Sequence, residues 1–192
     1  MDQKIILAST SPRRAQLLKH LNLKFRAVDP GYEEVHHRHL KPEALVKYLA
    51  LGKARSAALR HKNALIIAAD TLVAYEGEVL GKPHTADTAR RMLRKLSGKK
   101  HQILTGVAIV DARTGQVYSA CDAAGIKFKK LTPARIAAYV ASGEPLDRAG
   151  AYAIQGLGYN LIKRLEGDLT TAIGLPMSLV YNGLKNFGVK PV

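Results

Sequence analysis

Two short segments carry most of the chemical promise of this chain. The first is Ala8-Ser9-Thr10-Ser11-Pro12-Arg13-Arg14, a hydroxyl-rich turn running into two adjacent guanidinium groups. Lys4 to Ala8 reads as a buried strand, and Ser11-Pro12 is a helix start. A strand that hands a turn to a helix N-terminus presents free backbone N–H groups and the positive end of a dipole, which suits an anion. Two arginines in that first turn are disfavoured by about 0.3–1 kcal/mol each. A bound polyphosphate would reverse the sign of that cost; without one, the pair reads as two exposed arginines on a surface helix. The second segment is Asp70, which follows the apolar run Ala64 to Ala69 directly. A carboxylate at the carboxyl end of a buried strand can hold Mg²⁺ or orient a water for attack on phosphorus. It reads equally well, taken alone, as an Asp in a turn between two strands.

Other candidates lie between and beyond these. Glu33-Glu34 places two carboxylates side by side in a polar loop, where they profit from a cation or are simply solvated. Lys53 sits within an amphipathic helix pattern, and Lys82 in the stiff turn Gly81-Lys82-Pro83. Gly77 to Pro83 falls short of a phosphate-binding P-loop, because one residue is missing between the glycines and Pro83 stands where the Mg²⁺-holding hydroxyl belongs. Gly156-Leu157-Gly158 lacks the third glycine of a dinucleotide fingerprint and precedes a strand. His36-His37-Arg38-His39 lacks a partner histidine at helical spacing and reads as an exposed loop. Cys121 falls mid-strand as a small inert apolar residue.

The whole composition narrows the field. In 192 residues, 30 Lys and Arg oppose 15 Asp and Glu, a net charge of +15. A positive surface attracts nucleic acid, acidic membrane or phosphorylated ligands. The basic residues are spread along the chain and aromatics make up 6%, which disfavours a nucleic-acid binder. The densest basic stretch, Arg90 to His101, is broken by apolar residues at helical spacing and reads as a solvated helix face. A hydrophobic share of 47% excludes a disordered chain. The lone cysteine excludes an internal disulfide. The opening apolar run is shorter than the roughly 7–15 residues of a signal peptide, and no run approaches the ~20 residues that cross a bilayer. These features predict a cytoplasmic protein without a membrane anchor.

The elements that must position these residues alternate. Strands are expected at 4–8, 25–28 and 65–69, the last ending at Asp70. Helices are expected from Ser11-Pro12, from Pro42-Glu43 with Leu45, Leu49 and Ala54 on one face, over 87–96, from Thr132-Pro133 to Ser142-Gly143, and over 176–186. Hairpins are expected around Glu76-Gly77 and Thr114-Gly115, a Gly-rich loop over 150–158, and a strand over 160–165. The pattern predicts an α/β or α+β architecture, with one domain over 1–192.

Taken together, the residues resemble the Maf family of nucleoside triphosphate pyrophosphatases. The matching segments are Ile6-Leu-Ala-Ser-Thr-Ser-Pro-Arg-Arg14, Glu33-Glu34, Lys53-Ala54, Ala69-Asp70-Thr71, Gly81-Lys82-Pro83, Leu96-Ser97-Gly98, Glu144-Pro-Leu-Asp147, Ala149-Gly-Ala-Tyr-Ala-Ile-Gln-Gly156 and Gly174-Leu-Pro176. They run in family order along nearly the whole chain. The resemblance implies a mixed, elongated sheet with flanking helices and two lobes around a central cleft, similar to the inosine-triphosphate pyrophosphatase fold. It implies hydrolysis between the α and β phosphates with a divalent cation, Mg²⁺ or Mn²⁺, and is compatible with a homodimer. By the same resemblance Asp70 is the catalytic carboxylate and, with Glu34, a metal ligand. Ser9, Arg13, Arg14, Lys53, Thr71, Lys82 and Gln155 fall on substrate-binding positions. Arg13, Thr71 and Gln155 match the thymidine/uridine-triphosphate group; the 7-methylguanosine-triphosphate group typically carries Trp, Gln and Glu there. The competing readings are that methylated-purine preference and a basic regulator that binds nucleic acid or a division partner without turnover. One residue departs from the pattern: Gly52 stands where relatives often have Glu, which puts the orientation of Lys53 in question.

Overall fold

The computed structural model describes residues 4–33 and 40–190. Its elements, in order, are β1 (Lys4–Ala8), α1 (Pro12–Lys19), β2 (Phe25–Val28), α2 (Pro42–Arg60), β3 (Ala64–Tyr75), β4 (Glu78–Leu80), α3 (Ala86–Leu96), β5 (Lys100–Asp111), β6 (Val117–Phe128), α4 (Pro133–Ala141), β7 (Ile162–Glu166), α5 (Leu169–Ile173) and α6 (Met177–Asn186). Three short 3-10 turns, Glu144–Asp147, Ala149–Ala151 and Gly156–Leu161, take the place of the expected Gly-rich loop.

Among the described residues the strands form one sheet in the order β2-β1-β3-β5-β6-β7, with β4 also on β3. β1 runs parallel to β2 and β3; the remaining pairs are antiparallel. The fold is therefore the mixed α/β sheet with flanking helices that was expected.

The faces of β3 follow from its period of two. Even-numbered residues Ile66, Ala68, Leu72 and Ala74 pack with α2. Odd-numbered Leu65, Ile67 and Ala69 form a core with Leu18 and with Leu175, Val180 and Leu184. Val73 and Tyr75 join a separate core with Leu93, Leu96, Ile136 and Tyr139 from α3 and α4. Between the two odd-face cores lies a polar rung, Thr71 paired with Thr105; on the even face Asp70 pairs with Gly106.

Gly106 matters for space. A Cβ there would lie 2.4 Å from the Val46 carbonyl oxygen, so α2 rests its backbone on the sheet beside Asp70. The small residues Ala50, Ala54 and Ala57, all buried, continue this close approach. Gly106→Ala would force the helix away at a cost of about 1–3 kcal/mol.

Candidate active site

Asp70 is not at the end of a strand. β3 continues from Ala64 to Tyr75, so the expectation of a strand ending at Asp70 is corrected. Asp and Thr read as turn residues, yet ten consecutive pairs with β5 hold this stretch extended. What ends is its neighbour. Along the edge of β3 opposite β5, β1 pairs as far as Leu7↔Ile67, and β4 begins at Val73↔Leu80. The edge between is a window over residues 68–72, with Asp70 and Thr71 at its middle. The chain leaving β1 carries Ser9 to one side of this window, and the chain leaving β4 carries Lys82 to the other.

Lys53 reaches Asp70 from the even face. It lies seven residues after Val46, two helical turns along the face of α2 that touches the sheet. Its Nζ donates to Asp70 Oδ1 at 2.5 Å, with both side chains 11% exposed. Taking two charges out of water is costly unless they are paired; removing one partner from such a buried pair costs about 3–5 kcal/mol. Lys53 is thus oriented despite the departure at position 52. There a Cβ would lie 2.4 Å from Cζ of Tyr32, so the missing side chain makes room for a tyrosine ring. Ser56 Oγ donates to the Gly31 carbonyl at 2.8 Å and Arg60 donates to the Asp29 carbonyl at 2.8 Å. Positions 52, 56 and 60 lie one turn apart, so segment 29–32 is lashed down one ridge of α2.

Arg14 approaches from the odd face. Its Nε donates to the Gly174 carbonyl at 2.8 Å, and its terminal nitrogens donate to Thr71 Oγ1 at 3.1 Å and Ser9 Oγ at 3.5 Å. Ser9 Oγ also accepts from the Ser11 amide at 3.2 Å, so Ser9 shapes the turn while Ser11, at the cap position, makes no side-chain cap bond. The two faces of one strand, each carrying a cation, meet at the window.

The far wall is built from the 3-10 turns. Arg13 faces it: burial and the Arg148 cation pull its guanidinium below the ordinary value, opposed by Asp147 and Glu144. Lys82 pairs with Asp147 at 2.7 Å, with side chains 52% and 76% exposed. The hydrogen bond from Lys82 lowers the Asp147 carboxyl against partial burial. Glu144 is a scaffold residue. It accepts from Tyr139 at 2.7 Å and from the Gly158 and Leu157 amides at 2.8 and 3.0 Å. Burial pushes its carboxyl up, but these donors and Arg148 outweigh that and hold it low. Gln155 is exposed at the cap of the last 3-10 turn.

Eight of the nine residues expected at the site fall on described parts of the chain. Ser9, Arg14 and Thr71 form one cluster and Lys53 and Asp70 another, at the same window; Lys82 and Gln155 belong to the far wall, which Arg13 of α1 faces. Glu34, with His36, His37 and His39, lies outside the described residues. Sequence reasoning missed Arg148, whose buried Nε has no hydrogen-bond partner among the described residues, although it stood between two matched segments. It also missed Thr105 and Asp122, which reach the site through strand register, and Thr171 of α5, which hydrogen-bonds to both. Cys121 lies in β6, its thiol pushed up by burial, and is not part of either cluster.

The described residues contain no group of three or more potential metal-ligating side chains. They do fit a hard cation held mainly by substrate. Mg²⁺ is commonly bound by one or two carboxylates plus phosphate oxygens and water, and Asp70 offers Oδ2 beyond the oxygen that Lys53 engages. No helix among the described residues is long and apolar enough to cross a membrane.

Comparison with known proteins places these features in context. The model of the Maf-like protein family matches residues 4–187. The dTTP/UTP pyrophosphatase of Moorella thermoacetica is 48% identical over 186 residues, covering 97% of this chain and 96% of that one. Those of Halalkalibacterium halodurans and Methanosarcina mazei are each 43% identical, covering 96% and 97% of this chain and 96% and 95% of theirs. Among solved structures, the Ham1 protein of Staphylococcus aureus superposes with a TM-score of 0.51 at 14% identity, covering 96% of this chain and 95% of that one. That last likeness concerns the fold alone.

Proposed function

Because this chain belongs to the Maf family, we propose that it is a nucleoside triphosphate pyrophosphatase that hydrolyses dTTP and UTP to the monophosphate and pyrophosphate. The observation that carries the reading is the buried Lys53–Asp70 pair set in the window of β3, with the Arg14 guanidinium on the other face of the same strand. The names of the relatives point to the same reaction and the same pyrimidine nucleotides.

The reaction is largely positioning and charge stabilisation. Arg14, the α1 N-terminus and Lys82 spread the negative charge of the phosphate chain. Lys53 fixes one carboxylate oxygen of Asp70, so the other has a defined direction. Asp70 orients a water against the α-phosphorus; a P–O bond forms there, the bond from the α-phosphorus to the α–β bridging oxygen breaks, and pyrophosphate leaves carrying that oxygen. The carboxylate accepts the proton of that water. Asp70 and Glu34, together with phosphate oxygens, would hold a divalent cation, which would supply charge neutralisation to the phosphate chain. Gln155 donates and accepts through one amide, which matches the amide-like edge of uracil or thymine. The chain acts in the cytoplasm as a clearance enzyme for nucleotides, including modified pyrimidines, and a homodimer agrees with this reading.

Incubation with dTTP, UTP, CTP and 7-methylguanosine triphosphate, each with Mg²⁺, tests the reading by release of pyrophosphate. Release from dTTP and UTP well above the others supports it. Preferential release from the methylated purine assigns the other specificity. No release from any, with duplex DNA binding that weakens steeply with salt, assigns a basic binding protein instead.

A further inference from the structure

The hydroxyls behind Arg14 have their proton directions fixed by what they touch. Thr105 is fully buried, and its Oγ1 donates to the Thr171 carbonyl at 2.8 Å. A carbonyl accepts and cannot donate, so the single hydroxyl proton of Thr105 is committed there. Thr105 Oγ1 also lies 3.0 Å from Thr71 Oγ1. With its proton committed, Thr105 must accept in that bond, and Thr71 must donate. The proton of Thr71 is then committed too. What Thr71 turns toward Arg14, 3.1 Å away, is a lone pair, and the guanidinium donates to it.

The far end of this relay is anchored. Thr171 is fully buried and its own hydroxyl donates to Asp122 Oδ2 at 2.5 Å. The turn after α5 returns through Gly174, at φ +116°, to accept the Arg14 Nε–H. A Cβ at 174 would lie 3.0 Å from Thr71 Oγ1 and 3.5 Å from Arg14 Nε, so α5 closes directly on both groups.

We propose that Thr105 is a positioning residue that sets the direction of the Thr71 hydroxyl and, through it, the orientation of the Arg14 guanidinium toward a phosphate chain. Thr71 then serves as an acceptor for Arg14 and donates no hydrogen bond to a nucleobase. This inference rests on reading the window as a triphosphate site.

Thr105→Val keeps shape and removes the hydroxyl; Thr105→Ser keeps the hydroxyl. The KM for dTTP should rise about tenfold in Thr105→Val, the scale of one lost hydrogen bond to a charged group, with a smaller change in kcat. Thr105→Ser should restore most of it. Thr71→Val, at a half-buried position, should reproduce the rise, and the double Val variant should be no worse than either single one, because both act through Arg14. The ratio of dTTP to UTP turnover should stay constant throughout. An unchanged KM in Thr71→Val, equal impairment by Val and Ser at 105, multiplying losses, or a shifted dTTP/UTP ratio each overturns the proposal. If wild-type protein releases no pyrophosphate from any nucleotide, the proposed function fails, and calorimetric binding of inorganic pyrophosphate to the same variants still decides this one: weaker binding in both Val variants with rescue by Ser supports it, and equal binding overturns it.

Discussion

The two walls that face each other across the window of β3 are made of different material. On one side, regular helices α1 and α2 press charged groups against a buried strand, and the Lys53–Asp70 pair is nearly sealed from water. On the other, 3-10 turns hold their cations in the open, and the Lys82–Asp147 pair is more than half exposed. A buried, hydrogen-bonded charge keeps one direction and acts through a low-dielectric surrounding; an exposed one is screened and adjustable. The first wall is suited to chemistry that demands a fixed geometry, and the second to gripping ligands that differ in outline. A scaffold still underlies the second wall, since Glu144 ties Tyr139 to two amides of the last turn.

The contrast can be broken by substitution. The largest effect belongs to the buried wall. Asp70→Asn keeps an oxygen to accept from Lys53 but leaves that buried ammonium without its counter-charge. The melting temperature should therefore fall by up to the equivalent of about 3–5 kcal/mol, while pyrophosphate release, measured well below the melt, falls by about two orders of magnitude or more. Near-normal turnover would remove Asp70 from the centre of the reaction. Gln155→Glu, on the exposed wall, should leave stability alone and lower dTTP turnover relative to a purine nucleotide by about tenfold, because one donor is lost. A constant substrate ratio would place base recognition elsewhere.

Stability responses sharpen the same comparison. His101, buried against Tyr152 and Phe128 beneath the second wall, has its imidazole pushed down to about 4 by desolvation. The unfolded chain takes up that proton near pH 6.5 while the folded one does not until about 4. Stability from this group is therefore complete above pH 6.5, drains away as pH falls toward 4, and stays lost below; the full loss is roughly 3 kcal/mol. Denaturant melts across that window should show wild type losing, on acidification, stability that His101→Phe does not lose, and a parallel pair of curves would contradict the assignment. The smallest effect belongs to the exposed pair. Asp147→Asn should cost under about 1 kcal/mol, and less in high salt.

Much of this was legible in the residues. The spans Lys4–Ala8 and Phe25–Val28 stand where alternation and apolar runs put them, and Ser11-Pro12 and Thr132-Pro133 open helices as such pairs do. The misreadings have physical causes. Asp70-Thr71 looks like the end of a strand because polar residues interrupt an apolar run, yet the strand continues there, held by β5, with Thr71 against Thr105 and Asp70 against Gly106. The five-residue helix Leu169–Ile173 was not anticipated, since it is too short to show a period. Gly52 looked like a missing interaction and proves to be a slot for Tyr32, which no spacing along the chain announces. Thr105 gave no signal because its role depends on which residue lies across the ladder.

The opposite orientation of two adjacent residues has a consequence of its own. A strand turns over with every residue, so Asp70 serves α2 only because Thr71 serves α1. Deleting one residue from the short connection at 61–63, so that β3 slid by a single step, would exchange those allegiances. Composition, charge and apolar content would hardly change, but the carboxylate would look away from its lysine and the hydroxyl away from its arginine. On the proposed reading of the window, the reading frame of one ladder is itself part of the equipment for catalysis.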